Sequence, residues 1–296
     1  DLPYIYYSSG GYYPRNSDRR FSYSRTVLHG ITSSANTIAV RGLELVNKDV
    51  KNYKISYEYA TEKFGLTTLI DGKDNNSAPL AMGAQTYGVT VREMATAFAT
   101  FPNGGVYREA RSYTKVFDSN GNEVLYNEQE SRKILSEKAT NYMNYCLVRA
   151  MQVGTGIEAN LQNSYGITTA GKTGTTESNY DRWICGYTGY YTAAVWAGFD
   201  YPDTISTISG QSPANQLFKK VMGPLHEGKR DKALYSTKNM AKIEVCLESG
   251  KLATDACKAD VRTVAGDLSR IYEVWVYQED MPKEKCDQHV MISYCN

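Results

Sequence analysis

The sequence predicts an α+β domain in which helices cover a mainly antiparallel sheet, followed by a small tail that contains cysteines. Helical apolar spacing occurs both before and after a run of β-hairpin signals, which is typical of this class. Four of the six cysteines also lie from Cys246 onward. We therefore assign residues 1–235 to the domain and 236–296 to the tail.

Composition excludes several classes of protein. The 296 residues carry 33 Lys and Arg against 32 Asp and Glu, a net charge of +1, which argues against a nucleic-acid partner. The 42% hydrophobic and 22% charged residues are ordinary for a globular chain. No apolar run is long enough for a membrane span, and Asp1-Leu2-Pro3 does not begin a signal peptide. We expect the chain to be the later part of a longer protein.

The first third of the chain is predicted to be mostly helical. Apolar residues recur at helical spacing over residues 37–47 and 57–64. Thr90 and Glu93 have the spacing of a capping box, which predicts that a third helix begins at Thr90.

Hairpins and helices are predicted to alternate in the rest of the domain. Asn120-Gly121 is a strong hairpin turn. Ser212-Pro213 opens a helix through Leu217, Val221 and Leu225. Strands are predicted at 166–175, 182–188 and 191–199. Ser136 caps a helix to about Val153, whose inward residues are predicted to be Ala139, Met143, Cys146, Leu147 and Ala150.

One stretch matches the phosphate-loop pattern literally. Residues 166–173 read G-x-x-x-x-G-K-T, but a phosphate loop needs a buried strand before it and a helix that begins at the lysine. The preceding residues are polar, and β-type residues follow Lys172. A nucleotide site is therefore disfavoured.

The same lysine opens the tripeptide Lys172-Thr173-Gly174. At a strand edge, an ammonium group and the hydroxyls of Thr173 and Thr175 can bind a peptide carboxylate, while Gly174 leaves the edge bare for the peptide backbone. Ser34-Ala35-Asn36 supplies a Ser-x-Asn element at the start of a helix. Taken alone, that element is better explained as a helix cap.

Several segments, in order along nearly the whole chain, resemble the transpeptidase domain of class A penicillin-binding proteins. The tail from Cys246 to His289 also resembles the tail of several members. The segments that carry the resemblance are residues 87–105, 154–156, 169–176, 181–183, 186–188 and 194–200.

The resemblance implies a penicillin-binding protein/β-lactamase-like fold, with a five-stranded mainly antiparallel sheet flanked by helices and a helical subdomain. It also implies a bacterial D,D-transpeptidase outside the cytoplasmic membrane, without a cofactor. Such an enzyme attacks the D-Ala-D-Ala end of a peptidoglycan stem peptide with a serine and passes the acyl group to an amine of a neighbouring strand. β-Lactams acylate the same serine.

The resemblance also implies roles for six residues. Ser34 would shuttle a proton, Asn36 would bind the substrate amide, and Lys172 would polarise Ser34. Thr173 and Thr175 would bind the substrate carboxylate, and Gly174 would let the substrate approach the strand closely. The Thr175 N–H would form half of the oxyanion hole.

The nucleophile of this family lies in a Ser-x-x-Lys motif upstream of Ser-x-Asn, and that motif is missing here. The literal match Ser112-x-x-Lys115 follows Ser-x-Asn and falls on a predicted strand, where positions i and i+3 point to opposite faces. We therefore expect a missing N-terminal segment of the same protein to carry the nucleophile and a membrane anchor. Alternatives are a D,D-carboxypeptidase or β-lactamase-like hydrolase, and a non-catalytic peptidoglycan-binding module.

The cysteines of the tail allow several pairings. Disulfides Cys246–Cys257 or Cys286–Cys295 are favoured outside the cell, so no metal is expected. Free thiols, or a zinc site formed by Cys246, Cys257, Cys286 and His289, are the alternatives.

Overall fold

The structure, a computed structural model, divides the chain into two compact units. The large unit comprises residues 2–21 and 27–235, and the small unit comprises Asp1, Ser22–Thr26 and Ser236–Asn296. The residues described are 1–3, 5–6, 11–49, 51–207, 210–260 and 270–291.

The helix predicted to begin at Thr90 is present with its capping residues. The Thr90 side chain accepts a hydrogen bond from the Glu93 N–H and the Glu93 carboxylate accepts one from the Thr90 N–H, which confirms the capping box. Within the described ranges, no helix has the length and apolarity needed to cross a bilayer. The helices are α1 Val27–Ser33, α2 Asn36–Asn47, α3 Lys54–Glu58, α4 Ser77–Met82, α5 Val91–Ala99, α6 Glu137–Val153, α7 Gln162–Tyr165 and α8 Pro213–Met222.

The strands of the large unit are short except for three. The hairpin predicted at Asn120-Gly121 is present between β4 and β5, and Gly121 adopts the left-handed conformation with φ +84°. The strands are β1 Ile5–Tyr6, β2 Tyr12–Tyr13, β3 Val106–Arg108, β4 Lys115–Phe117, β5 Glu123–Tyr126, β6 Ser131–Lys133, β7 Ala170–Thr175, β8 Asp181–Tyr187 and β9 Thr192–Gly198.

The central sheet has three strands among the described residues, in the order β7-β8-β9 with antiparallel pairing throughout. Helices α5, α6 and α8 pack against it, as expected for the α+β class. The expectation of five strands is thus not met. The other described strands of this unit, two to four residues long, pair with one another as separate two-stranded ribbons and do not join the sheet.

The core lies between this sheet and the helices. Phe218 and Met222 of α8 pack with Ile184 of β8, and all three are almost fully buried. Burial of each such side chain stabilises the fold by about 1.5–3 kcal/mol. The helix predicted to begin at Ser212-Pro213 is present, but it ends at Met222, before Leu225. Leu217 and Val221 are half exposed, because the face that meets the sheet is offset by one residue.

Helix α6 also buries a face that differs from the prediction. Leu147 and Ala150 are buried as expected, whereas Ala139 is exposed. Thr140 and Asn144 are buried instead, and both make hydrogen bonds that offset their loss of hydration.

Among its described residues, the small unit contains an antiparallel strand pair, a short α-helix, a 3-10 turn at Gln278–Asp280 and connecting loops. Strands β10 Met240–Cys246 and β11 Ile271–Tyr277 pair antiparallel, and α9 Asp255–Lys258 lies between them in sequence. Cys246, Cys257 and Cys286 are buried free thiols that pack together. The predicted Cys246–Cys257 disulfide is therefore wrong for this structure. Cys286 is also unbonded, and its suggested partner Cys295 lies outside the described residues.

Candidate active site

Ser34 and Lys172 are 138 residues apart in sequence but in direct contact. The Lys172 Nζ donates hydrogen bonds to the Ser34 Oγ and to the Thr173 carbonyl oxygen, each at 2.7 Å. Lys172 is the third residue of β7, and Ser34 lies in the turn between α1 and α2. The fold thus joins the two motifs that the sequence singled out.

The turn that presents Ser34 has an unusual backbone. Ser34 has φ +58°, in the left-handed region that costs a residue with a side chain about 1 kcal/mol or more. The Ala35 N–H donates to the Gly30 carbonyl oxygen at 2.9 Å and closes the turn. A Cβ on Gly30 would lie 2.5 Å from the Ile38 Cγ2, so glycine is needed where α1 meets α2.

Burial changes the acid–base properties of Lys172. Removal from water disfavours its charged form and lowers the pKa of the ammonium group from 10.5 to about 8. A lysine with this pKa exchanges its proton near neutral pH more readily than an exposed one. Its contact with the Ser34 hydroxyl makes the pair suitable for general acid–base work.

A groove of about 560 Å³ opens beside this pair. Strand β7 contributes Lys172 to Thr175 to its wall, the turn after α1 contributes Ser34, and α2 contributes its first residue, Asn36. The structure thus brings all six predicted site residues to one groove. The Asn36 Nδ2 donates to the Arg15 carbonyl oxygen at 2.7 Å, which fixes the orientation of the amide. Apolar residues of α1, α2 and α4 complete the lining, among them Ile31, Leu43, Val46 and Leu80.

Strand β7 is an edge strand of the sheet among the described residues. It pairs only with β8, with Lys172 opposite Cys185 and Gly174 opposite Trp183. Its other side can therefore pair with an extended peptide by strand addition. A Cβ on Gly174 would lie 3.3 Å from the Trp183 Cβ, so the glycine also relieves crowding on the face of the sheet.

Thr155 also lies at this site, although its sequence motif predicts no role for it. Its Oγ1 lies 2.6 Å from the Thr173 Oγ1, and its N–H donates to the Thr32 carbonyl oxygen at 3.3 Å. A Cβ on Gly154 would lie 2.3 Å from the Thr32 carbonyl oxygen, so the close approach requires glycine. The Gly154-Thr155-Gly156 turn is among the segments that resemble the family, so its position in the sequence could have pointed to Thr155. The resemblance implied no function for this threonine.

Two literal motif matches do not form sites. Lys172 lies inside a strand that continues to Thr175, so no helix begins there to bind phosphate. Lys115 lies on the exposed ribbon strand β4, where it forms an ion pair with Glu123. Both observations agree with the sequence-based rejection of these matches.

A groove beneath the edge of an antiparallel sheet, with Lys-Thr-Gly facing Ser-x-Asn across it, defines the class of penicillin-recognising acyl-transfer domains. Residues 3–223 match the family model described as the penicillin binding protein transpeptidase domain. The chain belongs to this family.

Relatives with curated descriptions extend the match into the small unit. Penicillin-binding protein 1A of Clostridium perfringens is 32% identical over 288 residues, which is 95% of this chain and 33% of the relative. Penicillin-binding protein 1A of Clostridium botulinum strain Langeland is 34% identical over 288 residues, 96% of this chain and 33% of the relative. The chain therefore spans about a third of the length of these relatives.

Solved structures share the fold. Penicillin-Binding Protein 1A from Haemophilus influenzae superposes with a TM-score of 0.72 at 18% identity, over 97% of this chain and 45% of that one. The PonA1 protein from Mycobacterium tuberculosis, solved in complex with penicillin V, superposes with a TM-score of 0.63 at 19% identity, over 77% of this chain and 63% of that one. These similarities confirm the penicillin-binding protein type of fold.

Proposed function

We propose that this chain is the substrate-binding part of a bacterial peptidoglycan D,D-transpeptidase that β-lactams inhibit, working on the outer face of the cytoplasmic membrane. Residues 1–235 form the transpeptidase domain and 236–296 its tail. The observation that carries the proposal is the 2.7 Å contact between Lys172 and Ser34 at the head of a free strand edge.

The substrate is a stem peptide that ends in a carboxylate. Its extended backbone pairs with β7, and the hydroxyls of Thr173 and Thr175 hydrogen-bond the terminal carboxylate near the Lys172 charge. The Thr155 hydroxyl, 2.6 Å from that of Thr173, holds Thr173 in place. Asn36 at the opposite wall hydrogen-bonds the substrate amide. The Thr175 N–H donates to the oxyanion that develops on the scissile carbonyl.

The chemical step needs a serine from a Ser-x-x-Lys segment of the same protein. Its hydroxyl oxygen attacks the carbonyl carbon of the penultimate D-Ala, and its proton passes through Ser34 to the amine of the departing D-Ala. Lys172 donates to Ser34 and holds that hydroxyl in position. An amine of a second stem peptide then attacks the ester carbonyl of the acyl-serine, so that an amide bond forms, the C–O bond to serine breaks, and a proton from the amine returns to the serine oxygen.

Labelling with fluorescent penicillin tests this proposal. We expect no covalent label on the chain alone, and a label when the segment upstream of the matched region in the Clostridium perfringens relative, which we expect to carry Ser-x-x-Lys, is fused to it. In the fusion, Lys172→Met should reduce the rate of labelling at least about a hundredfold, a typical effect of losing an acid–base group. Lys115→Met is the matched control. A fusion that folds but takes no label would contradict the proposal.

A non-catalytic binding module is the second candidate. In the one literal Ser-x-x-Lys match of this sequence, Lys115 forms an ion pair with Glu123 on an exposed ribbon, so it is not placed to activate a serine nucleophile. Titration of the chain with a D-Ala-D-Ala peptide, against the same peptide with an amidated end, tests whether the groove recognises the terminal carboxylate. Both candidates predict weaker binding of the amide. Only the transpeptidase predicts label on the fusion.

A further inference from the structure

We propose that Cys246, Cys257, Cys286 and His289 form a structural zinc site in the small unit. Their ligand atoms, three Sγ and one imidazole nitrogen, all lie within 4.8 Å of one another. Three thiolates and one imidazole are a common ligand set of tetrahedral structural zinc. The site is independent of the acyl-transfer function proposed above.

The distances within the cluster fit a zinc ion. The His289 Nδ1 lies 3.3 Å from the Cys286 Sγ and 3.6 Å from the Cys246 Sγ. With Zn–S bonds of about 2.3 Å and a Zn–N bond of about 2.0–2.1 Å, a tetrahedron has S···N edges of about 3.6 Å and S···S edges of about 3.8 Å. No ligand atom needs to move by more than about 1 Å to reach these bond lengths.

The backbone brings the ligands together from three segments. Cys246 ends β10 and is followed by a tight turn, in which the Gly250 N–H donates to the Cys246 carbonyl oxygen at 2.9 Å. Cys257 lies on α9. The Cys286 N–H donates to the Leu252 carbonyl oxygen at 2.8 Å, which joins the third segment to the first. The ligand geometry therefore rests on main-chain hydrogen bonds.

An ion pair fixes the loop that carries Cys286 and His289. The Lys251 Nζ lies 2.8 Å from a carboxylate oxygen of Glu284 and 2.7 Å from one of Asp287. These two acidic residues flank Cys286, so Lys251 ties both sides of the loop to the turn after Cys246. The loop is held in the conformation that the cluster requires.

The surroundings of the sulfur atoms suit thiolates. The Thr254 N–H donates to the Cys257 Sγ at 3.4 Å, and the Gln288 N–H donates to the Cys286 Sγ at 3.4 Å. Hydrogen bonds from backbone N–H groups stabilise negative charge on sulfur, as they do on oxygen. The cysteines thus have the environment of metal ligands and not only that of small apolar core residues.

The second ring nitrogen of His289 faces two carboxylates. Its Nε2 lies 3.2 Å from an oxygen of Glu248 and 3.2 Å from one of Asp260, although neither contact is aligned well enough to be a hydrogen bond. A carboxylate behind a ligating imidazole orients the ring and strengthens its bond to zinc. With Nδ1 toward the cysteines and Nε2 toward acidic groups, His289 is arranged as in such triads.

Stability gives a reason for a metal here. Among the described residues, the buried cluster of the small unit consists of the three cysteines, with Ala253 and Ile271 packed against it. An apolar core of this size contributes little to folding. A bound zinc ion supplies folding free energy directly in units of this kind.

Metal analysis of the chain purified without chelator tests the proposal. We expect about one zinc per chain, the stoichiometry of one tetrahedral site, and the absorption of tetrahedral thiolate–cobalt after exchange into Co²⁺. Cys257→Ser and His289→Ala should each lose most of the zinc, whereas Cys146→Ser, which removes a thiol of the large unit, should retain it. A metal-free chain that also fails to bind Co²⁺, or a disulfide among the three cysteines in peptide mass spectra, would overturn the site.

A milder variant avoids loss of the fold. Glu248→Gln keeps all four ligands and should weaken zinc binding by about tenfold to a hundredfold in a chelator competition. Glu244→Gln, which breaks an exposed ion pair with Lys258 in the same unit, is the control and should leave zinc binding unchanged. Equal affinities for the two variants would contradict the role of Glu248 behind His289.

Discussion

The hydroxyl of Tyr187 donates a 2.6 Å hydrogen bond to the Oδ1 of Asn144, and both side chains are buried. The Asn144 Nδ2 donates to the Leu234 carbonyl oxygen at 2.9 Å and to the Phe101 carbonyl oxygen at 3.3 Å. One amide thus connects β8, α6 and two further segments behind the candidate active site. Because the Tyr187 hydroxyl and the Asn144 amide are buried, each depends on the other as a hydrogen-bond partner.

We expect Asn144→Ala to lower the free energy of unfolding by about 2–4 kcal/mol, because it leaves buried polar groups unpaired and removes packed atoms. Tyr187→Phe should cost about 1 kcal/mol. Urea denaturation of both variants and the double variant measures the coupling. The double variant should cost at least about 0.5 kcal/mol less than the sum, and strict additivity would contradict the shared bond.

Lys172 should destabilise the fold at neutral pH. Its folded-state pKa of about 8 lies below the ordinary 10.5, so the folded chain binds fewer protons between these values and the lysine's contribution to stability rises with pH across that window. Below pH 8 the lysine is charged in both the folded and the unfolded chain, so the full free-energy cost of burying the charge is present. We therefore expect Lys172→Met to raise the free energy of unfolding by about 1–3 kcal/mol at pH 7.

The quantity to measure is the difference in free energy of unfolding between wild type and Lys172→Met, because other groups titrate in the same pH range. Burial raises the pKa of the Cys146 thiol to about 11 and that of Cys185 to about 12, and above pH 9 these shifts remove stability as pH rises. The two thiols are common to both proteins and cancel in the difference. The difference in free energy of unfolding between the two proteins should decrease from pH 8 to pH 10. A constant difference would contradict the lowered pKa of Lys172.

Gly105 is a position where a single methyl group should be costly. It has φ +88°, and a Cβ would lie 2.3 Å from the Leu135 carbonyl oxygen. Gly104 has φ +65° with nothing within 4 Å of an added Cβ. We expect Gly105→Ala to destabilise by more than about 3 kcal/mol and Gly104→Ala by about 1 kcal/mol. Thermal denaturation of the two adjacent variants checks this, and equal losses would show that φ alone matters.

Strain at Ser34 can be separated from its hydrogen bond. Ser34→Ala keeps the left-handed backbone strain and removes the hydroxyl, whereas Ser34→Gly removes both. We expect the glycine variant to be more stable than the alanine variant by about 1 kcal/mol. Chemical denaturation measures the difference. If the alanine variant were the more stable, the turn would not be strained.

The elements that the sequence predicted well are those specified by local chemistry. The capping box at Thr90, the turn at Asn120-Gly121 and the strand that begins before Lys172 each depend on a few adjacent residues. The sequence also identified the six residues that now line one groove. Their proximity could not be derived from spacing, because Ser34 and Lys172 meet only through tertiary packing.

The errors share a physical origin. Apolar spacing placed Leu217 and Val221 of α8 inward, but contact with the sheet selected the neighbouring face. Asn144 was passed over because a polar residue in a helix core is unfavourable unless partners from distant segments satisfy it. The expected extracellular compartment favours disulfides in the tail, and the sequence offers the set of three cysteines and His289 only as an alternative, because their proximity depends on the fold.

The free side of β7 has a consequence for handling the protein in solution. An exposed edge strand can pair with a second copy of the same chain. The N–H and C=O groups that would bind a substrate peptide can form the same main-chain hydrogen bonds with any extended segment. The six-residue length of β7 limits such self-association, because a short edge offers few main-chain hydrogen bonds to a second copy.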